Sequence, residues 1–538
     1  MDGRTVKAGL RSALTSGGMT LTVISLYGQQ TPSLTLAPAK MAKLGSVDSR
    51  FVSYNVEMVE VTGGRFWKAI KPGTESGPGS NPLAQVQNPN QQVGDNAAIF
   101  QYRPPIDLKN ARLRKLASAL GPSYIRVSGS WANSVYFQDD DKPALKEPPK
   151  GFRSVLTRGE WKSVIDFSNS VDGKIVTSVA ISPGVRDANG AWLPDQAKAF
   201  FDYTKSIGGS IYATEFMNEP TFPGPGGAPS GYDAEAYARD IKVFEPFLRS
   251  ESPHTIFLGP GGVGEGISLM PSGAPAGMRM KLLETADLMK VTPPVFDAFS
   301  YHFYGAVSHR CMGNLTVEQA MTSEWLDRTD KVENFYAAIR DHYLPGKPMW
   351  LNETAEAACG GDKLASQFVD TFRFLNQLGT LAQKGVQVVM HNTLASSDYG
   401  LLDEDSYDPR PNYWATLLWK RSMGAVVLDP NTSKVESLRI YAHCASGKSG
   451  GVTVLALNTD TTNEKTLEIP IAGERYTLTS PELTSASVLL NGVELKAAPD
   501  GSIPSIRSLH IAAGDVRLPA ASITFINFPA AQNKNCAQ

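Results

Sequence analysis

The chain has 538 residues, of which 42% are hydrophobic and 19% are charged, a globular balance far from the composition of disordered chains. Lysine and arginine number 51 and aspartate and glutamate 53, so the formal net charge is −2 at pH 7. The basic excess of nucleic-acid-binding domains is therefore missing, and no nucleic-acid partner is predicted. The length is compatible with one large domain and one smaller domain.

The first 30 residues are similar to an export signal. Arg4, Lys7 and Arg11 give a basic start, and residues 13–28 are mostly apolar and small. A signal peptide over 1–30 predicts a secreted or periplasmic protein, and the alternative is a weakly apolar, disordered start. No other segment has the ~18 consecutive apolar residues that span a bilayer, so no membrane partner is predicted.

Residues 47–424 alternate short apolar runs with longer amphipathic stretches. Eight runs have the length and composition of strands: 51–56, 124–127, 175–181, 212–217, 255–258, 296–303, 349–351 and 386–390. Strand–helix alternation favours parallel pairing, and eight such units predict an α/β fold with a closed (β/α)8 barrel, the TIM barrel. A doubly wound open sheet is the rival, but the chain lacks a Gly-rich phosphate turn after its first strand.

From residue 425 to residue 538 the pattern changes to short strands separated by turns. The runs lie at 438–441, 452–457, 466–469, 476–478, 487–490 and 521–526. This spacing predicts a C-terminal antiparallel β-sandwich. The run at 33–36, within the segment 31–46, is predicted to add an N-terminal strand to that sandwich.

Four cysteines, Cys311, Cys359, Cys444 and Cys536, permit two disulfides with three possible connectivities. Their spacing contains no zinc pattern, so neither a metal nor a cofactor is predicted. A bond between Cys444 and Cys536 would tie the end of the chain to the start of the sandwich. In the chain-entropy model such a bond contributes about 4–5 kcal/mol.

Two glutamates follow predicted barrel strands and carry the chemistry. Asn218-Glu219-Pro220 closes the fourth strand, and Leu351-Asn352-Glu353-Thr354 closes the seventh. Strand ends in such a barrel face one shared cleft, so the two carboxyl groups are expected to meet there. A pair of carboxylates is what glycoside hydrolysis requires, and the retaining mechanism needs them ~5–5.5 Å apart. The alternative for Glu219 is an ordinary exposed loop residue, and Glu356 is predicted to lie beyond the strand, exposed.

Four more polar side chains on or next to these strands are candidates for the same site. His302 and Tyr304 end the sixth strand, where His302 could hydrogen-bond Glu353 or a sugar hydroxyl, or could be a buried structural histidine. Arg126 on the second strand would hold a nucleophile ionised, and its alternative is a salt bridge at the barrel bottom. Asn218 could hydrogen-bond a substrate hydroxyl.

At these residues the sequence resembles the heparanase and β-glucuronidase family, glycoside hydrolase family 79, over about residues 33–538. The most specific stretch is 350–354 (Trp-Leu-Asn-Glu-Thr), and further matches lie at 377–379, 397–402, 411–414, 420–424, 438–444 and 490–492. The resemblance implies a barrel joined to a β-sandwich, with Glu219 as acid/base and Glu353 as nucleophile.

The same resemblance implies the residues that bind the sugar. Tyr399, with the backbone amides around Ser397 and Asp398, matches the place where the family binds the uronic carboxylate. A phenol and backbone N–H groups are suitable donors for that anion. Glu57, at the end of the first strand, matches an acidic residue that the family uses on sugar hydroxyls.

One position departs from the family pattern. Relatives commonly have a tyrosine five residues after the nucleophile, where this chain has Ala358, followed by Cys359, which could pair with Cys311. The expected activity is that of a single-chain exo-β-glucuronidase that removes terminal β-linked glucuronic acid by double displacement. The alternatives are an endo-β-glucuronidase on glycosaminoglycan chains, a retaining β-glycosidase for a neutral sugar, and a non-catalytic carbohydrate-binding protein. In each case the partner is a carbohydrate.

Overall fold

The computed structural model describes residues 34–70, 96–268 and 283–537. The predicted export signal at 1–30 lies outside these ranges. Within them, no helix combines the length and the apolar character needed to cross a membrane.

The strands of the described residues are numbered in chain order. They are β1 Leu34–Thr35, β2 Lys43–Ser46, β3 Val52–Glu57, β4 Gly64–Trp67, β5 Phe100–Arg103, β6 Ser123–Ser128, β7 Val135–Gln138, β8 Ser154–Thr157, β9 Gly173–Thr177, β10 Ile211–Glu215, β11 Ile256–Gly262, β12 Ala298–Val307, β13 Met349–Ala358, β14 Val388–His391, β15 Met423–Leu428, β16 Leu438–Ala445, β17 Val452–Asn458, β18 Lys465–Ile469, β19 Gly473–Thr479, β20 Leu489–Leu490, β21 Val493–Glu494, β22 Leu509–Ile511, β23 Gly514–Leu518 and β24 Ser522–Phe528.

Eight of these strands close into a parallel barrel in the order β3-β6-β9-β10-β11-β12-β13-β14, which confirms the predicted (β/α)8 barrel. The α-helices of the described residues are Met58–Thr62, Ala111–Ala119, Arg158–Ser170, Asp195–Ser206, Ala234–Glu251, Thr285–Val291, Val317–Ala320, Ser323–Leu326, Arg328–Tyr343, Phe368–Gln383 and Pro411–Ser422. Their starts follow local sequence signals. For example, Thr157 and Glu160 form a capping box, and Asn110 accepts the backbone N–H of Leu113.

Successive side chains of a strand point to opposite faces of the sheet, so every second side chain of a barrel strand points into the barrel. Tyr124, Ala213, Ala298 and Trp350 belong to one buried cluster that fills the barrel interior. Because side chains two positions apart share a face, Arg126 on β6 lies one layer above Tyr124. By the same spacing Glu215 lies above Ala213 on β10, Ser300 and His302 lie above Ala298 on β12, and Asn352 lies above Trp350 on β13.

The predicted positions of Glu219 and Glu353 relative to their strands need correction. β10 ends at Glu215, so Glu219 lies in the loop that follows, with a left-handed φ of 50°. β13 continues to Ala358 because it pairs with β12 along its whole length, so Glu353 lies inside the strand. The register shifts between Tyr301 and His302, so one residue of β13 is extra. This bulge lets Asn352 and Glu353 both contact groups of the barrel interior.

Two of the other sheets form the predicted sandwich, while β4 pairs with β5 and β7 pairs with β8 in two small separate sheets. A nine-stranded sheet has the order β2-β15-β16-β17-β24-β19-β20-β21, with β22 on β19, and a three-stranded sheet has the order β1-β18-β23. Side chains of both sheets, such as Leu467 and Val454, pack in one buried cluster. The N-terminal strand pairs as expected, with Leu34 opposite Leu467, and β2 adds a second N-terminal strand beside β15.

Candidate active site

Arg126 lies at the centre of the candidate site and is completely buried. Its guanidinium donates to Glu215 Oε2 at 3.0 Å, to Glu353 Oε2 at 2.7 Å and to Asn218 Oδ1 at 2.7 Å. Burial alone would lower the pKa of Arg126, but the carboxylates of Glu215 and Glu353 raise it, so this cation stays charged. The alternative prediction, a salt bridge at the barrel bottom, is wrong, because Arg126 lies above the layer of Tyr124.

Glu353 is held as a carboxylate from both oxygens. Tyr304 donates its hydroxyl to Oε1 at 2.6 Å, and Arg126 donates to Oε2. Burial favours the neutral acid, yet His302, Arg126 and the hydrogen bond from Tyr304 outweigh it and lower the pKa of Glu353. The side chain is therefore ionised at neutral pH.

Glu219 has the opposite environment. Burial raises its pKa, the hydrogen bond with His302 lowers it, the charge of Glu353 raises it again, and the net shift is upward. His302 Nδ1 lies 3.0 Å from Glu219 Oε1 and 3.7 Å from Glu353 Oε2. One ligand atom each of Glu219, His302 and Glu353 lies within 4.8 Å of the others. Two carboxyl groups with opposite shifts thus face one another at close range.

His302 is cationic in this setting. Burial lowers its pKa, but the Glu353 carboxylate and the hydrogen bonds with Glu215 and Glu219 raise it to about 9. Nδ1–H then donates to Glu219. The three side chains Glu219, His302 and Glu353 have metal-binding spacing, but Arg126 already occupies Glu353, and a second cation beside it would be repelled.

Glu215 completes the cluster, and sequence analysis missed it. It is 1% exposed and accepts from Arg126 and from Asn352 Nδ2 at 2.6 Å. Burial raises its pKa, but Arg126 and His302 lower it to about 2. Its position two residues after Ala213 on an inward-facing strand was the available signal.

Glu57 ends β3 and is 3% exposed. Burial and the charge of Glu353 raise its pKa well above the usual range, although Arg126 opposes them. The side chain needs Gly129, because a Cβ at that position would lie 1.5 Å from Glu57 Oε2. The anions Glu215 and Glu353 thus face the cations Arg126 and His302 in this cluster.

A chain of hydrogen bonds connects Glu353 to the 397–399 loop. Asn392 Nδ2 donates to the hydroxyls of Tyr304 at 3.1 Å and of Tyr399 at 3.2 Å. Tyr399 is 3% exposed, and burial raises its pKa well above the usual range, so it keeps its proton. Tyr399 is therefore connected to Glu353 through Asn392 and Tyr304.

The backbone amides of the same loop have partners within the protein. Ser397 N–H donates to Glu404 Oε2 at 3.2 Å, and Asp398 N–H donates to the carbonyl of Gly360 at 3.3 Å. The Asp398 carboxylate pairs with Arg310 and accepts from the backbone of Ile70. Ser397 and Asp398 thus form contacts within the protein in this conformation. Of the three predicted residues, Tyr399 has a hydroxyl that joins the hydrogen-bond chain leading to Glu353.

The prediction that Glu356 lies beyond the strand and is exposed is wrong. It lies inside β13 and is 1% exposed, where it accepts the backbone N–H of Asp362 at 3.1 Å. Burial and the neighbouring Asp370 and Asp362 raise its pKa well above the usual range. The prediction failed because β13 extends beyond the apolar run 349–351 that the sequence shows.

Both disulfides are formed. Cys311 bonds Cys359 across a sequence separation of 48 residues, and Cys444 bonds Cys536 across 92 residues. The first joins the loop after β12 to the residue after β13, next to Ala358. The second ties the end of the chain to β16.

A barrel of this topology with paired, oppositely titrating carboxyl groups in its mouth has the arrangement that glycoside hydrolysis requires. Residues 95–379, more than half of the chain, match the model of Glycosyl hydrolase family 79, N-terminal domain. The chain belongs to glycoside hydrolase family 79.

Known proteins agree with this assignment. Heparanase-like protein 1 of Arabidopsis thaliana is 27% identical over 493 residues, covering 79% of this chain and 86% of that protein. Baicalin-beta-D-glucuronidase of Scutellaria baicalensis is 35% identical over 171 residues, 30% of this chain and 32% of that protein. Among solved structures, the GH51 arabinofuranosidase from Xanthomonas axonopodis pv. citri has a TM-score of 0.61 and 16% identity, covering 92% of this chain and 99% of that chain, and shows the same fold.

Proposed function

We propose that the chain is a retaining β-glycosidase with Glu353 as nucleophile and Glu219 as general acid/base. The observation that carries this proposal is the distance between the two side chains, whose nearest carboxylate oxygens lie within 4.8 Å. Retaining enzymes hold their carboxyl groups ~5–5.5 Å apart, whereas inverting enzymes leave ~6.5–9.5 Å for a water molecule. The close pair thus favours a covalent intermediate.

The electrostatics support this division of roles. In the first step Glu219 gives its proton to the leaving oxygen while a Glu353 oxygen bonds to the anomeric carbon and the glycosidic bond breaks. Esterification removes the negative charge of Glu353, which is one cause of the raised pKa of Glu219. The pKa of Glu219 therefore falls in the intermediate, so this carboxylate can accept a proton from the water that cleaves the ester.

For the substrate we propose a terminal β-linked glucuronic acid, with exo action. Tyr399 is a protonated phenol beside the nucleophile and is suited to donate to the C5 carboxylate. Glu57 is neutral and buried at the site edge, where it can bond sugar hydroxyls. The balanced net charge of −2 favours a single uronic residue over a highly sulfated chain. Two disulfides support function in an oxidising compartment, in line with secretion or a periplasmic location.

A panel of chromogenic substrates tests the substrate proposal. The protein is assayed with 4-nitrophenyl β-glucuronide, β-glucoside and β-xyloside, and the anomer released first is followed by NMR. We expect preference for the glucuronide and initial release of the β-anomer. Preference for a neutral sugar would contradict uronate recognition, and initial release of the α-anomer would contradict the retaining mechanism. Depolymerisation of heparan sulfate or hyaluronan, measured by gel filtration, would favour the endo alternative instead.

Variants at three glutamates test the catalytic roles. Glu353→Gln is expected to lose nearly all turnover with the fold intact by circular dichroism. Glu219→Ala is expected to retain part of its activity only on 4-nitrophenyl substrates, whose leaving group needs no protonation. Glu356→Gln is the matched control, because Glu356 is buried on the same strand and already neutral. Near-normal activity of Glu353→Gln would refute its role as nucleophile.

A further inference from the structure

Arg310 binds three separate segments on one flank of the candidate site. It is 7% exposed. Nη1 donates to the carbonyls of Gly361 at 2.7 Å and Cys359 at 3.2 Å, and Nη2 donates to the carbonyl of Lys68 at 2.5 Å. Nη2 also forms an ion pair with Asp398. One guanidinium thus fixes the turn after β13, the end of the β4 hairpin strand and the 397–399 loop.

The turn that Arg310 holds has an unusual backbone. Cys359, Gly360 and Gly361 all have left-handed φ values, of 64°, 83° and 80°. A Cβ on Gly360 would meet Trp67 and the Ser397 hydroxyl, and a Cβ on Gly361 would meet Tyr399. The turn therefore packs directly against the tyrosine that faces the nucleophile. Cys359 is non-glycine in this region, and external contacts must hold such a residue in place.

A covalent bond adds to the same contact. Cys311, the residue next to Arg310, is the disulfide partner of Cys359. The Ser397 hydroxyl also donates to the carbonyl of Gly360 at 2.7 Å. The disulfide and the guanidinium thus reach the turn from the same short 3-10 segment, His309–Cys311.

We propose that Arg310 and the Cys311–Cys359 disulfide form a positioning unit that shapes the wall receiving the C5 carboxylate of the sugar. Arg310 does not itself provide the charge for the substrate, because Asp398 neutralises it. It keeps the turn 359–361 and Tyr399 in the conformation that binds the carboxylate. The inference rests on the proposed glucuronide specificity.

A lysine cannot replace this arginine. A guanidinium presents five N–H donors in a planar fork, whereas an ammonium is a single point that cannot reach carbonyls on opposite sides. Arg310→Lys is therefore expected to keep the charge and lose the geometry. Because Glu219 and Glu353 do not contact Arg310, the loss falls on substrate binding, so KM changes and kcat does not.

The experiment compares Arg310→Lys, Arg310→Ala and the double variant Cys311→Ser/Cys359→Ser. The substrates are 4-nitrophenyl β-glucuronide and 4-nitrophenyl β-xyloside, which lacks the C5 substituent. We expect KM for the glucuronide to rise at least tenfold with kcat within threefold, and xyloside kinetics to stay within twofold of wild type. The matched control is Cys444→Ser/Cys536→Ser, which removes the distant disulfide and is expected to lower the Tm without changing either KM.

The outcomes separate this inference from the proposed function. A wild-type enzyme that prefers the xyloside would overturn the glucuronide proposal and, with it, this inference. A wild type that prefers the glucuronide, together with variants of unchanged KM, would overturn the inference alone. Equal losses on both substrates would also overturn it, since they would show a general loss of structure. For a variant that does not fold, Asp398→Asn, which removes the charge and keeps the shape, is assayed in the same way and carries the same expectation.

Discussion

Substitution of Glu215 by glutamine would test the buried charge cluster most directly. The pKa of Glu215 falls from an ordinary 4.5 to about 2, which corresponds to about 3 kcal/mol of folding free energy at neutral pH. The loss of one partner from a buried ion pair costs ~3–5 kcal/mol in general, which agrees. Glu215→Gln is therefore expected to lower the free energy of unfolding at pH 7 by about 3 kcal/mol.

The stability difference between wild type and Glu215→Gln should depend on pH. Because the folded pKa is depressed, the contribution of Glu215 is complete above pH 4.5 and is lost as the pH falls toward 2. The difference between wild type and Glu215→Gln should thus shrink from about 3 kcal/mol at pH 7 to about 2 kcal/mol at pH 3.5. Urea unfolding followed by fluorescence measures both values.

The activity of the same variant checks the link to Arg126. We expect kcat to fall at least tenfold with KM little changed, because Arg126 loses a partner that orients it toward Glu353. Glu494→Gln, at an exposed ion pair with Lys496, is the control and should change neither stability nor activity measurably. A stability loss below about 1 kcal/mol at pH 7, or one that does not depend on pH, would refute the charge balance derived for the cluster.

Three further predictions concern neighbouring residues. Burial raises the pKa of Glu60 to about 7, so its stabilising contribution is present below pH 4.5 and is lost as the pH rises through 7. The Glu60→Gln variant preserves the capping box. In urea unfolding it should be more stable than wild type by up to about 3 kcal/mol at pH 8 and equal to wild type near pH 4. Gly129→Ala should lower kcat/KM at least tenfold because its Cβ displaces Glu57, whereas Gly190→Ala, also left-handed but in open space, should affect stability alone; equal kinetics of the two would contradict this. Tyr399→Phe should raise KM for the glucuronide at least tenfold and leave the xyloside unchanged, as initial rates would show.

The barrel could be predicted because each strand is an apolar run of its own. Eight runs between helix-like stretches leave few alternatives, and Glu219 and Glu353 could be picked out because each follows one of these apolar runs. Glu215 was missed although it lies two residues after the inward-facing Ala213, because a glutamate inside a strand usually faces solvent. Its role depends on Arg126 from another strand, and that contact exists only in three dimensions.

The length of β13 and the positions of Glu356 and Arg310 were not predicted, for a different reason. The sequence shows an apolar run that ends at Leu351, but β13 extends to Ala358 because β12 offers it a partner along ten residues. The β-propensity of the residues does not predict this extension, because the extension results from tertiary pairing with β12. Glu356 was assigned to an exposed loop for this reason. Arg310 carried no signal at all, because the segments it joins lie far apart along the chain.

The N-terminal strand also constrains the order in which the chain can fold. Leu34 pairs with Leu467, so β1 must wait for more than 400 residues to be synthesised before its partner exists. At ~5–20 residues per second a ribosome needs roughly 20–90 s for that stretch. During this time the first strand presents an unpaired edge to any other chain nearby. A biosynthetic route that keeps the growing polypeptide extended or chaperoned until its C-terminal third has emerged would protect this strand.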